Sequence, residues 1–203
     1  VLMNTEALDD GDIEYSAADR WIRARIDETT RQMHKHFSTY RLDLAVQAVY
    51  DFTWREFCDW YLELSKPVLQ SDESSEAMQR GTRKTLIEVL EGILRLLHPL
   101  MPFITEEIWE QVAERAGLEG DTIMFRPYPE ADDDAADEAA IADIEWVQQF
   151  ILGIRQIRGE MDISPGKTLP VLLQHAGEAD RRRATEHAQL LQRVGRVDSV
   201  SIL

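Results

Sequence analysis

Arg20, Arg23, Arg31, His34 and Lys35 fall on one arc of a helical wheel turned at about 100° per residue. Guanidinium groups at i, i+3 and i+11 on an open face suit a phosphate backbone or flipped-out bases. Asp27 lies inside the arc and dilutes it. The alternative is a solvated face that pairs with acids of the following helix. Phe37 and Tyr40 close the same segment, where an aromatic ring can stack an unpaired base, although Phe37 also fits a core. RNA contact is therefore expected at Arg20, Arg23, Arg31, His34, Lys35, Phe37 and Tyr40.

Nothing else in the chain organises into a reaction centre. There is no GxxxxGK[ST] or GxGxxG phosphate loop and no HExxH. His34 and His36 point to different sides of a helix, so no metal site is expected. Ser, His and Asp are present without a frame that makes a triad. Cys58, the one cysteine, sits by Phe57 and Trp60 and reads as a buried inert thiol, with no disulfide possible. Glu106 and Glu107 complement the dipole of a helix start. Tyr50, Phe52, Trp54, Phe57, Trp60 and Tyr61 could stack bases, but at helical spacing on a central helix they read as core.

Thirty-eight acids against 22 Lys+Arg give a net charge of −16 over 203 residues, which excludes a wholly basic nucleic-acid coat. Residues 20–41, with six bases and two acids, stand out against that background, as does the weakly positive stretch 153–203. With 44% apolar residues a packed core is expected, and no apolar run approaches the ~20 residues that span a bilayer. The N-terminus carries no basic-then-apolar leader and no initiator Met, so the chain reads as a piece of a longer cytoplasmic protein.

The elements that must carry these residues follow from periodicity. Residues 1–14 read as a connector. Ser16 caps a helix over 17–38, with Ile22, Ile26, Thr29, Met33 and Phe37 as its core stripe. A second helix spans 42–66, apolar over more than half its circumference and ended or kinked by Pro67. A third covers 75–97, and a fourth starts at Pro102 or Thr105 and stops at Gly117. An extended crossing over 121–129 and an acidic loop lead to a helix over 135–159. A strand at 169–174, a polar helix at 178–192 and a strand at 197–203 complete the chain. Two strands are marginal alone, so the appendage is expected to lack a neighbour.

Against that frame, His98-Pro99-Leu100-Met101-Pro102-Phe103-Ile104-Thr105-Glu106-Glu107-Ile108-Trp109 resembles the HPxxPFxTExxW signature of the anticodon-binding domain in class I aminoacyl-tRNA synthetases. Ala18-Asp19-Arg20-Trp21 resembles the opening of that domain. Phe57-Cys58-Asp59-Trp60-Tyr61-Leu62-Glu63 with Lys66-Pro67, and Ile157-Arg158-Gly159-Glu160-Met161 with Pro165-Gly166-Lys167, resemble the valyl branch; the isoleucyl branch is the competitor. The resemblance implies a mainly α fold, an antiparallel helical bundle over 15–130, with a helix and a small partial α/β appendage over 131–203. It implies binding of the anticodon arm of valine tRNA, packing on a catalytic domain of the same chain, and a monomer. The parent enzyme would use ATP; this piece lacks the HIGH and KMSKS signatures, so neither catalysis nor a cofactor is expected of it. A strut without base readout is the alternative.

Overall fold

The computed structural model describes residues 1, 5, 11–132, 137–164 and 166–203. Parts of the expected connector and acidic loop, and Pro165, lie outside them. The chain forms two compact units, Val1–Asp137 and Glu138–Leu203.

The first unit is the helical bundle. Its α1 helix (Ala17–Ser38) opens on a capping box: Asp19 N–H donates to Ser16 Oγ at 3.2 Å, and Ser16 N–H donates to the Asp19 carboxylate at 2.9 Å. After a short turn, α2 (Leu42–Asp51) runs into a π-helical stretch (Phe52–Tyr61) and then α3 (Leu62–Leu69). A regular helix was expected over 42–66. In an α-helix the stripe through Phe52 would continue to Arg55, Glu56 and Asp59. Winding by i→i+5 carries it instead to Phe57 and Tyr61, which are buried, while Glu56 moves to the rim and accepts from Arg25 at 2.6 and 2.8 Å. Pro67 does not end the helix; it sits within the last turn, and Gln70 caps it.

Asp19 also locks three elements together. Fully buried, it accepts from the Tyr61 hydroxyl at 2.6 Å and from the Thr82 hydroxyl at 2.8 Å. Burial, with the Asp19 charge beside it, pushes the Tyr61 phenol well above its ordinary pKa.

Helix α4 (Glu76–Leu97), capped by Ser75, packs on α1 and on α5 (Pro102–Ala116). Residues 11–15 lie against α4: Glu14 N–H donates to Ala77 O at 3.0 Å, and a Cβ at Gly81 would come within 2.0 Å of the Glu14 carbonyl oxygen. Only glycine admits that approach. Gly117, at φ 65°, ends α5. One core cluster joins Ile87, Leu94, Trp109, Val112 and Ile123; another joins Met33, Ala45, Val49 and Leu96. Glu106 does more than face a helix dipole. It accepts from Thr122 Oγ1 at 2.8 Å and from Ile123 N–H at 3.0 Å, tying the crossing, which makes a 3₁₀ turn at Ile123–Phe125, to α5.

The second unit holds α6 (Glu138–Glu160), β1 (Leu169–Leu173), α7 (Glu178–Glu186), α8 (Ala188–Gly195) and β2 (Val197–Ile202). The helix expected over 178–192 is broken at His187 and runs on to Gly195. Among the described residues the sheet is the parallel pair β1–β2. The molecule is thus mainly helical, with a small α/β appendage.

Candidate nucleic-acid interface

The basic arc of α1 forms, but it does not stand open. Arg20 Nε lies 2.9 Å from the Asp137 carboxylate, and its Nη1 donates to Tyr15 O at 2.7 Å. Arg23 pairs with Glu88 of α4 at 2.5 Å and stacks 4.7 Å from the Tyr15 ring centroid. Arg31 pairs with Glu28 at 2.7 Å and reaches Asp132 O at 3.4 Å. His34 Nε2 is 2.7 Å from Pro129 O; a carbonyl only accepts, so this nitrogen carries the hydrogen. Glu130 is 3.4 Å from the same nitrogen. These side chains keep a third to a half of their surface, so the arc is neutralised in place, not buried. Its partners are α4, its own helix and Pro129, Glu130, Asp132 and Asp137, not the second helix. Asp27 belongs to the same seam: it accepts from Asp132 N–H at 3.4 Å, and burial raises its pKa.

Phe37 is half-buried against Tyr128, ring centroids 5.9 Å apart, and His34 meets the same ring at 5.4 Å. Burial pushes the Tyr128 phenol up to about 12. Lys35 is exposed, with no ion pair among the described residues. Tyr40 is 90% exposed at the tip of the α1–α2 turn with φ 56°. That conformation closes α1 in a Schellman motif: Tyr40 N–H donates to Phe37 O at 3.1 Å and Arg41 N–H to His36 O at 2.8 Å. Next to it Arg41 forks onto Asp43 at 2.9 and 2.7 Å, holding that carboxyl down to about 2.

The open surface that the sequence reading missed lies on the second helix. Leu42, Val46, Tyr50 and Trp54 follow one another at i+4 and all face solvent, Tyr50 and Trp54 at 56% and 58% exposure. The core reading holds for Phe52, Phe57 and Tyr61 but not for these two. They flank a cavity of about 330 Å³ walled by Val49, Leu97, Leu100 and Met101. Thr53 also lines it, and the Thr53 hydroxyl is shielded from solvent without a hydrogen-bond partner among the described residues. Apolar walls, two exposed rings and one unsatisfied hydroxyl suit a flat heteroaromatic group with a polar edge. The signal was in the sequence: apolar residues covering more than half of the helix exceed what the neighbouring helices cover.

The arginines at 181–183 are structural. Arg182 and Arg183 converge on Asp143 at 2.7 and 2.8 Å, Arg182 also pairs with Glu186, and Arg181 donates to Ala176 O at 3.3 Å. The Arg182 hydrogen bond holds the Asp143 carboxyl well below the usual range. Asp143, Glu186 and His187 could approach a common metal, but the Asp143 oxygens are already taken by guanidinium groups. Arg158 is buried and donates to Ser164 O and Arg196 O at 3.2 and 2.8 Å. Cys58 is only half-buried; burial still raises its pKa.

A family model described as the anticodon-binding domain of tRNA ligase matches residues 19–173, more than half of the chain. The chain belongs to this family. An anticodon-binding domain implies tRNA as its partner. No helix among the described residues is long and apolar enough to cross a membrane.

Proposed function

We propose that this anticodon-binding domain comes from valine–tRNA ligase and holds the anticodon arm of valine tRNA on the face formed by Tyr40, Tyr50 and Trp54. The cavity carries the proposal. Its rings offer stacking to an unpaired base, and the Thr53 hydroxyl offers one hydrogen bond to a base edge. Lys35, in the open beside the Tyr40 turn, meets phosphate; Arg20, Arg23, Arg31, His34 and Phe37 set the shape of α1 and reach RNA only by exchanging partners. The valine assignment rests on the Phe57–Glu63 and Ile157–Met161 segments. The parent enzyme would join valine to its tRNA with ATP in the cytoplasm, as a monomer whose catalytic domain packs on this bundle. The piece described here, without HIGH or KMSKS, does no chemistry and needs no cofactor.

Anisotropy titrations with anticodon stem–loops test this. The valine stem–loop is expected to bind more tightly than variants changed at the middle or third anticodon base, and more tightly than the isoleucine stem–loop. Equal affinity for all would favour the strut reading, which the self-neutralised arc of α1 also accommodates. Equal affinity for the valine and isoleucine loops alone would leave the fold's role and remove the valine assignment.

A further inference from the structure

The α4–α5 turn, residues 97–101, separates two cavities. The apolar one holds Leu97, Leu100 and Met101 on its wall; the other, about 180 Å³, is lined by His98, Pro99, Met124, Arg126, Pro127 and Arg95 among others. The second is cationic in a chain of net charge −16. Its two arginines differ. Arg95 is committed, to Glu91 at 2.7 Å and to Pro127 O at 3.0 Å. Among the described residues Arg126 has no carboxylate partner; its Nη1 only reaches Glu119 O at 3.5 Å, and its Nε is shielded from solvent with no acceptor there. A buried guanidinium N–H without an acceptor is a standing penalty that an anion in the cavity would remove. Beside Arg126, Met124 and Phe125 stand 70% and 86% exposed, an apolar lip of the kind that borders a nucleotide.

We propose that Arg126 binds a phosphodiester of the RNA loop whose unpaired base enters the Tyr50–Trp54 cavity on the opposite flank of the turn. This rests on the anticodon-arm reading above and adds a phosphate subsite to it. The residues that line the two cavities alternate along the turn, Leu97, Leu100 and Met101 on one side and His98 and Pro99 on the other, so one strand laid across the turn can meet both. The aromatic cavity would then read the base, and Arg126 would fix the register of the strand without reading sequence.

The test is a salt series of anisotropy titrations with the valine anticodon stem–loop, on the wild-type chain, Arg126→Ala, Arg126→Lys and Tyr50→Ala/Trp54→Ala. Arg126→Ala is expected to weaken binding about fivefold and to flatten the log–log salt slope by about 0.7, the value for one phosphate contact on unpaired RNA. The ranking of anticodon variants should stay as in the wild type. Arg126→Lys should keep the slope but lose part of the affinity, because the planar fork is gone. A stem–loop with one neutral methylphosphonate linkage at the contacted position should bind wild type and Arg126→Ala equally. If Arg126→Ala keeps the wild-type slope and affinity while Tyr50→Ala/Trp54→Ala weakens binding, the phosphate subsite is wrong and the base cavity stands. If wild type itself shows no anticodon preference, both fall. Inorganic phosphate that binds at Arg126 while RNA affinity ignores the mutation would make it a free-anion site and overturn the assignment. Circular dichroism of each variant guards against misfolding, since Arg126 lies outside the helices.

Discussion

Two neighbouring helical faces invert what their residue types suggest. The α1 face is the most basic stretch of the chain, yet Arg20, Arg23 and Arg31 each sit at ion-pair distance from an acid of the same chain. The second helix carries the composition of a core, yet Tyr50 and Trp54 stand in solvent beside a cavity. Number of charges is therefore not availability of charge. A guanidinium already facing a carboxylate must exchange one partner for another when RNA arrives, and the net gain is small. An exposed ring gives up only water when a base stacks on it, and the water released adds to the gain.

The largest effect is expected where the two faces are anchored to each other. Asp19→Ala removes the acceptor of the buried Tyr61 and Thr82 hydroxyls together with the α1 capping carboxylate. A loss of about 3–5 kcal/mol is expected, because two buried donors are left unsatisfied and a cap is gone. Urea unfolding of the whole chain measures it; a loss below about 1 kcal/mol would show that packing alone holds the faces. Next comes the open face itself. Tyr50→Ala/Trp54→Ala should cost ~1–3 kcal/mol of RNA affinity per stacked base. Its melting temperature should barely move, since both rings are exposed. A large fall in melting temperature with unchanged RNA affinity would return these rings to the core and close the comparison.

Much of this arrangement is legible in the sequence, and the misses have physical causes. Ser16 with Asp19 three residues on, Pro102 at a first turn and Gly117 after a last one are local signals, and they mark the helix ends they predict. The split of the aromatics into buried Phe52, Phe57 and Tyr61 and exposed Tyr50 and Trp54 is not local. It depends on the π winding, which shifts the stripe by a residue, and on where α4 ends. The neutralisation of the α1 arc was out of reach for a similar reason. Glu88 and Asp137 lie 65 and 117 residues from their arginines, and periodicity says nothing about pairing at that distance. The Asp143 clamp on Arg182 and Arg183 is hidden in the same way.

That clamp gives the comparison a pH test, because it is a second set of arginines consumed by the chain itself. The Asp143 carboxyl is depressed, chiefly by its hydrogen bond from Arg182. Its contribution is therefore fully present above the unfolded carboxylate value of about 3.9 and is lost as pH falls through the lower folded value. Below about pH 4 the helix–strand unit should weaken, read from the fluorescence of Trp146, which donates to Asp180 at 2.8 Å. Asp143→Asn should cost about 2 kcal/mol at pH 7 and remove most of that acid dependence. An acid limb identical to wild type would mean that other carboxylates carry it and that the clamp contributes little.

The smallest effect is expected from the residues that looked most like an RNA site. Arg23→Ala/Arg31→Ala breaks the pairs with Glu88 and Glu28, both of which keep more than a third of their side-chain surface exposed. Exposed pairs of this kind contribute about 0.2–1 kcal/mol each, so the double variant should lose no more than about 2 kcal/mol of stability. Its RNA affinity should fall less than twofold at 0.15 M salt, where the Debye length is about 8 Å and charges further away are screened. The log–log salt slope discriminates better than affinity. If both arginines touched phosphate, the slope would flatten by about 1.4, at roughly 0.7 per contact on unpaired RNA. If they stay with their carboxylates, the slope should remain within about 0.3 of the wild-type value. Glu88 would keep Lys84 at 3.2 Å, but Glu28 would lose its cation and add local repulsion, so any weakening should be greatest at low salt and vanish at high salt. A flattening near 1.4 would mean that RNA pulls the arginines off their acids. The basic arc would then be a contact surface held in reserve, and the contrast between the two faces would be one of timing rather than of role.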